Sequence, residues 1–363
     1  PDSRELALEK HILETSDHNL NSRYVVRPNS SILCLPQIFF ISLVALMSLF
    51  TMFSCSLKWS RDDFGRKSIR QKLISFLKML AAVNGPQQLY KHNVLKSFYF
   101  TMLSNPDASV ANLALSCLMK YKLEYVTPYA DKLRGLLKKD EFRDAITKFD
   151  LSTEDGTIDS HHRQDLIPVL VRILFGRFSS RGSGARSSKD SPAARRAAIL
   201  SFIATLGDNH GEVDYFVYMM VRVFIPRGVD VTVATGNASE VSSLIDCVGS
   251  IDREEMAEIH SQRVEGFLNL LSNVISHLGF RVEEYVPTFM TLLLAMIEVT
   301  ERMRKAGTRQ NLHSLDSHND ENSWRQRVGN IRSLCFLGVS DLVVKFAEAH
   351  NFTVYGIKLW NAT

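Results

Sequence analysis

Cysteine is sparse in this sequence. The five residues Cys34, Cys55, Cys117, Cys247 and Cys335 stand far apart, are odd in number and never form a Cys-x-x-Cys pair. That argues against a disulfide framework and a cysteine-based zinc site, and fits reducing conditions. A surplus of one charge is missing too. The 43 basic and 39 acidic side chains of the 363 residues leave +4, so the chain as a whole makes no case for a nucleic-acid binder. Catalytic signatures are also absent: no Gly-x-Gly-x-x-Gly or Walker-type loop follows a strand, and neither His-Glu-x-x-His nor Gly-x-Ser-x-Gly occurs. His161 and His162 would point to different faces of a helix, which argues against a shared metal. Asp62-Asp63 and Glu254-Glu255 read as helix-terminal charges, which the helix dipole favours near a helix start. Nothing argues for an enzyme, a cofactor or a small-molecule substrate. Asn-x-Ser/Thr sequons at Asn29, Asn237, Asn351 and Asn361 matter only if the chain is secreted.

With 45% apolar and 23% charged residues, the composition is that of a folded globular chain and excludes wholesale disorder, collagen-like repeats and a multi-span membrane protein. At roughly 100 to 200 residues per domain, the length fits two compact domains or one elongated array. The chain opens on Pro1 rather than methionine, as a piece of a longer protein would.

One segment stands apart. Residues 1–60 contain an uncharged stretch, Asn29 to Leu57, in which 19 of 29 positions are apolar. As a helix from about Ile38 to Leu57 it could cross the roughly 30 Å hydrocarbon core of a bilayer, starting near Pro36. The basic residues Lys58, Arg61, Arg66, Lys67, Arg70 and Lys72 would then place everything after it in the cytoplasm, as in a membrane-tethered helical adaptor. Two readings compete with the span: a buried helix of a large helical protein, and a gene-model artefact such as translated intron.

Beyond residue 60 the pattern is helical. Ile69, Leu73, Phe76, Leu77 and Leu80 share one face, and Asn84-Gly85-Pro86 ends that helix. A second helix is expected over 87–104. A third, capped by Asp107, carries Val110, Leu113, Ala114, Cys117 and Leu118, and a fourth begins near Thr127-Pro128 with Tyr129, Leu133, Leu136 and Leu137. Later helices are expected at about 140–149, 162–176, 192–206, 212–225, 240–249, 254–279, 284–304 and 323–347. The stripe Val264, Phe267, Leu268, Leu271, Val274, Ile275 and Leu278 is a core face, as are Phe142, Ile146 and Phe149, and Leu166, Ile167, Leu170 and Ile173. Only Val229, Val231 and Val233 alternate as a strand would, too short a run to build a sheet.

Residues 113–133 and 266–293 share an order: amphipathic helix, short polar turn, Tyr-Val, proline, second amphipathic helix. Pro168 is expected near a helix start in a third such unit. Loosely recurring helix pairs of about 35 to 45 residues mark HEAT-type repeats. The fold expected is all-α, a HEAT/armadillo-like α-solenoid of stacked helix pairs preceded by the separate apolar segment. Its parts are helical repeats over 61–178 and 192–304, a flexible basic loop at 179–191, a polar linker with His313 and His318 at 305–323, a helix at 324–347 and an irregular tail at 348–363.

Charge is concentrated at the loop. Residues 172–196 carry Arg172, Arg177, Arg181, Arg186, Lys189, Arg195 and Arg196 against Asp190 alone, so this stretch holds +6 and the rest of the chain −2. These seven are the candidate RNA-phosphate contacts, each neutralised phosphate adding affinity through counterion release. With only Phe175 and Phe178 nearby, base stacking is not supported.

Four blocks carry a resemblance. LYKHNVLKSFYFTMLS (89–104), LALSCLMKYKLEYVTPYADKL (113–133), KDEFRDAITKFDLS (139–152) and HHRQDLIPVLVRILFGR (161–177), followed by a basic loop and Arg195-Arg196, resemble the DRIM ("down-regulated in metastasis") family, the large HEAT-repeat proteins of the small-subunit processome. The resemblance covers about 69–206 well and 212–346 more loosely. It implies a non-catalytic scaffold in the nucleolus, inside the nucleus, with pre-ribosomal RNA and snoRNP and processome proteins as partners. The apolar segment before residue 58 and the tail after about Ala347 depart from the family's amphipathic repeats. A membrane partner follows only if segment 38–57 belongs to the mature protein.

Overall fold

The computed structural model describes residues 66–149, 158–180, 191–206, 211–226, 238–306 and 321–362. Every regular element among them is helical. The uncharged run at 29–57, Asp62-Asp63, most of the basic loop, the three alternating valines and His313 and His318 lie outside the described residues.

The first layers follow local sequence closely. Helix α1 spans Arg66–Ala82 and ends ahead of Gly85, whose positive φ (68°) makes the left-handed turn that glycine adopts without a side-chain clash. The expected second helix starts late. A 3₁₀ turn at Pro86–Gln88 and a left-handed Lys91 (φ 52°) delay α2 to His92–Leu103. Asp107 caps α3 (Ala108–Met119), its side chain accepting from the Ser109 N–H at 3.0 Å. Helix α4 is Ala130–Leu137 and α5 is Phe142–Thr147. The Tyr129 hydroxyl accepts from the Asp159 N–H and shares a hydrogen bond with His162 Nδ1. Those bonds tie α4 to the start of α6 (Ser160–Ser179), where Asp159 is the cap for His161.

Pro168 lies in the middle of α6 and not at its start. The missing N–H removes one rung of the helix. Leu166, Val169, Leu170 and Ile173 around it are fully buried, and this packing holds the helix continuous where local propensity alone would end it.

Helices α7 (Pro192–Thr205), α8 (Gly211–Val221) and α9 (Ala238–Cys247) follow. The single helix expected over 254–279 is two. Helix α10 (Arg253–Glu258) stops at Ile259, and His260 caps α11 (Ser261–Leu278) by accepting from the Gln262 N–H at Nδ1. Glu254 and Glu255 sit in the first turn of α10. Helix α12 is Val286–Ala306 and α13 is Glu321–Phe346. The tail expected to be irregular instead forms α14 (Thr353–Ala362), opened by Asn351 Oδ1 accepting from the Thr353 N–H.

The two segments paired by their order match in three dimensions. A 3₁₀ turn (Thr127–Tyr129, containing Pro128) joins α3 to α4, and another (Gly279–Tyr285, ahead of Pro287) joins α11 to α12. Most helices pack on the next or the next-but-one: α1 and α2 on α3, α4 on α6, α5 on α7, α6 on α8, α11 and α12 on α13, α12 on α14. Longer-range pairs, α2 on α6 and α7 on α11, join successive layers, and the stacked array is that of an α-solenoid. Helices α6 and α8 lie centrally, and every residue of α8 from Glu212 to Val221 is buried. Its carboxylates are compensated: Glu212 accepts from Arg163 at 2.8 Å, and Asp214 accepts from the Tyr285 hydroxyl. On α12, buried Glu301 accepts from Arg304 at 2.6 and 2.9 Å with Lys305 and Arg332 close by.

Candidate nucleic-acid interface

The structure divides the seven basic residues of the 172–196 stretch. Arg181, Arg186 and Lys189 lie outside the described residues. Arg172, Arg177 and Arg195 are buried, which leaves all three unable to serve as direct phosphate contacts. Arg195, in the first turn of α7, donates through Nε to the Arg177 carbonyl (3.0 Å) and through Nη2 to the Ser180 carbonyl (2.7 Å). These carbonyls lie at the end of α6, where that of Arg177 also accepts from the Ser180 N–H and hydroxyl, and a cation suits the negative end of the helix. Arg177 lies over the Phe142 ring at 5.2 Å, joining α6 to α5. Arg196, half-buried, donates to the Phe178 carbonyl at 3.3 Å and covers the Phe178 ring. Arg172 is buried with its guanidinium over Tyr215 at 5.5 Å.

Arg172 and Arg196 nevertheless line something the sequence did not disclose. A groove of about 1320 Å³ opens between α2, α6, α8 and α11. Two further arginines line it, Arg222 from the 3₁₀ turn ending α8 and Arg263 from the first turn of α11. Arg222 donates through Nη2 to Ser104 Oγ at 3.2 Å, linking the end of α8 to the end of α2 across 118 positions of sequence. Arg263 is exposed. Burial, then the like charge of Arg172 and more weakly that of Arg263, lower the Arg222 pKa, and Tyr215 and Tyr218 partly offset this. Among the described residues lining the groove, Glu265 supplies the one carboxylate. Arginines from four separate elements line the groove, and those of them that are not buried, Arg196, Arg222 and Arg263, carry planar N–H donors of the kind suited to a phosphate or carboxylate.

The floor beneath them is apolar and close-fitting. Phe98, Phe178, Tyr218 and Phe267 line the groove at 7% exposure or less. Gly176 lets α6 approach the α2–α3 turn, since a Cβ there would lie 2.9 Å from the Asn105 carbonyl oxygen. Arg222 was missed because a single basic residue carries no periodicity. A lone cation inside the apolar run Tyr215 to Ile225 is the signal that could have found it, since charges so placed need a structural or functional reason. Arg263 had no such signal.

Elsewhere little chemistry is assembled. Among the described residues no group of three His, Cys, Asp or Glu side chains is placed to hold a metal ion. His161 is exposed while His162 meets Tyr129, so the pair diverges as its spacing implies. Burial pushes the Cys117 and Cys335 thiols up to about 12, leaving them protonated packing groups.

Comparison with known proteins gives one consistent result. The family model described as "U3 small nucleolar RNA-associated protein 20, N-terminal" matches residues 67–362. The chain is 24% identical over 257 residues to the U3 small nucleolar RNA-associated protein 20 of Schizosaccharomyces pombe, covering 70% of this chain and 9% of that protein. It is 30% identical over 102 residues to the protein of the same name from Saccharomyces cerevisiae, covering 28% of this chain and 4% of that protein. The chain thus spans less than a tenth of the length of these relatives.

Proposed function

The chain belongs to the U3 small nucleolar RNA-associated protein 20 N-terminal family, and from that premise we propose that it is a non-catalytic part of a helical-repeat scaffold in ribosome biogenesis. The finer reading is the DRIM-type role: a nucleolar scaffold of the small-subunit processome, acting on 18S precursor RNA together with the U3 snoRNP and processome proteins. One observation carries it. The family match runs over residues 67–362, a stretch whose described residues fold as stacked helices. A solenoid spends its apolar stripes on its neighbours and presents long surfaces able to hold several partners at once, so its contribution is geometric.

The test is sedimentation of the intact protein from cell extract. Co-migration with precursors of the small ribosomal subunit, lost on depletion of U3 snoRNA, is the expected result. Uniform absence from those fractions overturns the reading. The membrane-tethered adaptor rests on segment 38–57, outside the described residues, and among the described residues no helix is long and apolar enough to cross a membrane. Carbonate extraction separates the two: the scaffold is released to the soluble fraction, and retention in the pellet favours the tether.

A further inference from the structure

We propose that the groove between α2, α6, α8 and α11 is a channel for the phosphate backbone of single-stranded RNA, with Arg196, Arg222 and Arg263 as its contacting cations and Arg172, buried against Tyr215, adding charge from the wall. The choice of RNA as the anion rests on the functional reading above; the site itself rests on geometry. Four arginines from four elements line one concavity that contains a single carboxylate, Glu265. Gathering like charges costs free energy that an anion in their midst recovers. Arg222 feels this most, held half-buried by Ser104 and Met219 with Arg172 and Arg263 as the nearest acting cations.

The shape narrows the ligand. About 1320 Å³ is somewhat above the range of small-molecule pockets. Duplex RNA, by contrast, is recognised over surfaces of about 16 base pairs. An acidic peptide would need apolar anchors seated in open pockets. The rings of Phe98, Phe178, Tyr218 and Phe267 are committed to the core instead. Among the lining phenylalanine and tyrosine rings only Phe175 is partly exposed, too little to stack a run of bases, so the channel reads backbone charge and tolerates any sequence.

The experiment uses the full chain, a fluorescent oligouridylate and titration between 50 and 200 mM salt. Arg222→Gln/Arg263→Gln removes two contacts, so the slope of log affinity against log salt flattens by about 1.4, and the loss of affinity across that range shrinks about sevenfold. Arg263→Gln alone alters an exposed side chain and flattens the slope by about 0.7, which keeps the test valid should the double variant fold poorly. Lys132→Gln/Lys139→Gln removes two exposed charges that do not line the groove and leaves the slope nearly unchanged. Equal slopes for the groove and control variants overturn the proposal, as does tighter binding of a polyglutamate peptide than of the oligouridylate at equal salt. Pre-ribosomal co-sedimentation with a groove-independent slope would sink the channel and leave the scaffold. A groove-dependent slope without co-sedimentation would support the channel and sink the scaffold.

Discussion

Two arginine-rich regions lie side by side and behave oppositely. At the junction of α6 and α7, Arg195 donates to helix-terminal carbonyls and Arg177 faces an aromatic ring, so the donors of the first and the charge of the second are engaged inside the protein. In the groove, burial and then the charges of Arg172 and Arg263 bear on Arg222. The first arrangement holds two helices together, and the second leaves a field for something outside the chain. The density of basic residues in sequence points at the junction, while the open charge in space lies partly elsewhere.

The contrast can be broken by substitution. Arg195→Ala removes the donor to the Ser180 carbonyl and one of three donors to the Arg177 carbonyl, and should lower unfolding free energy by about 2 kcal/mol, read from a urea midpoint. A loss below 0.5 kcal/mol would place Arg195 with the groove residues. Gly176→Ala forces a methyl against the Asn105 carbonyl where α6 meets the α2–α3 turn. A loss of about 2 kcal/mol is expected, and no change would mean that this turn yields easily.

A third region calibrates both through pH. The hydrogen bonds from Arg304, with help from Arg332 and Lys305, hold Glu301 at about 2, well below its ordinary 4.5. A depressed carboxylate stabilises the fold above its unfolded value, and that stability is lost as pH falls from about 4.5 toward 2. Glu301→Gln should flatten stability across that window, and an unchanged acid limb would deny the pair its role. The smallest effect on folding belongs to the groove: Arg263→Gln should stay within about 0.5 kcal/mol of wild type while changing RNA binding.

Much of the fold was legible because packing obeys local periodicity. The stripe from Val264 to Leu278 is buried at every expected position, and Asp107 caps α3 as its side chain implies. Failures fell where nonlocal contacts decide. Apolar spacing runs on through Ile259-His260, hiding the break before α11, and His260 is an unusual cap. Pro168 stays helical because burial on both sides outweighs its missing bond. The helix α14 was invisible because its apolar residues are only partly used: Phe352, Tyr355 and Leu359 pack on the core while Val354 and Ile357 stay exposed. Of the groove, sequence supplied Arg172 and Arg196 by proximity to the loop, and nothing local marked Arg263, since convergence of α6, α8 and α11 is a property of stacking.

Ultraviolet cross-linking of the full chain to oligouridylate, with the linked peptides identified by mass spectrometry, tests the central contrast most directly. Links within 94–106, 172–179, 218–223 and 260–273 or at Arg196, the parts of the chain lining the groove, are the expected outcome. Links confined to other described helices, with none in those segments, would contradict an RNA channel at this face.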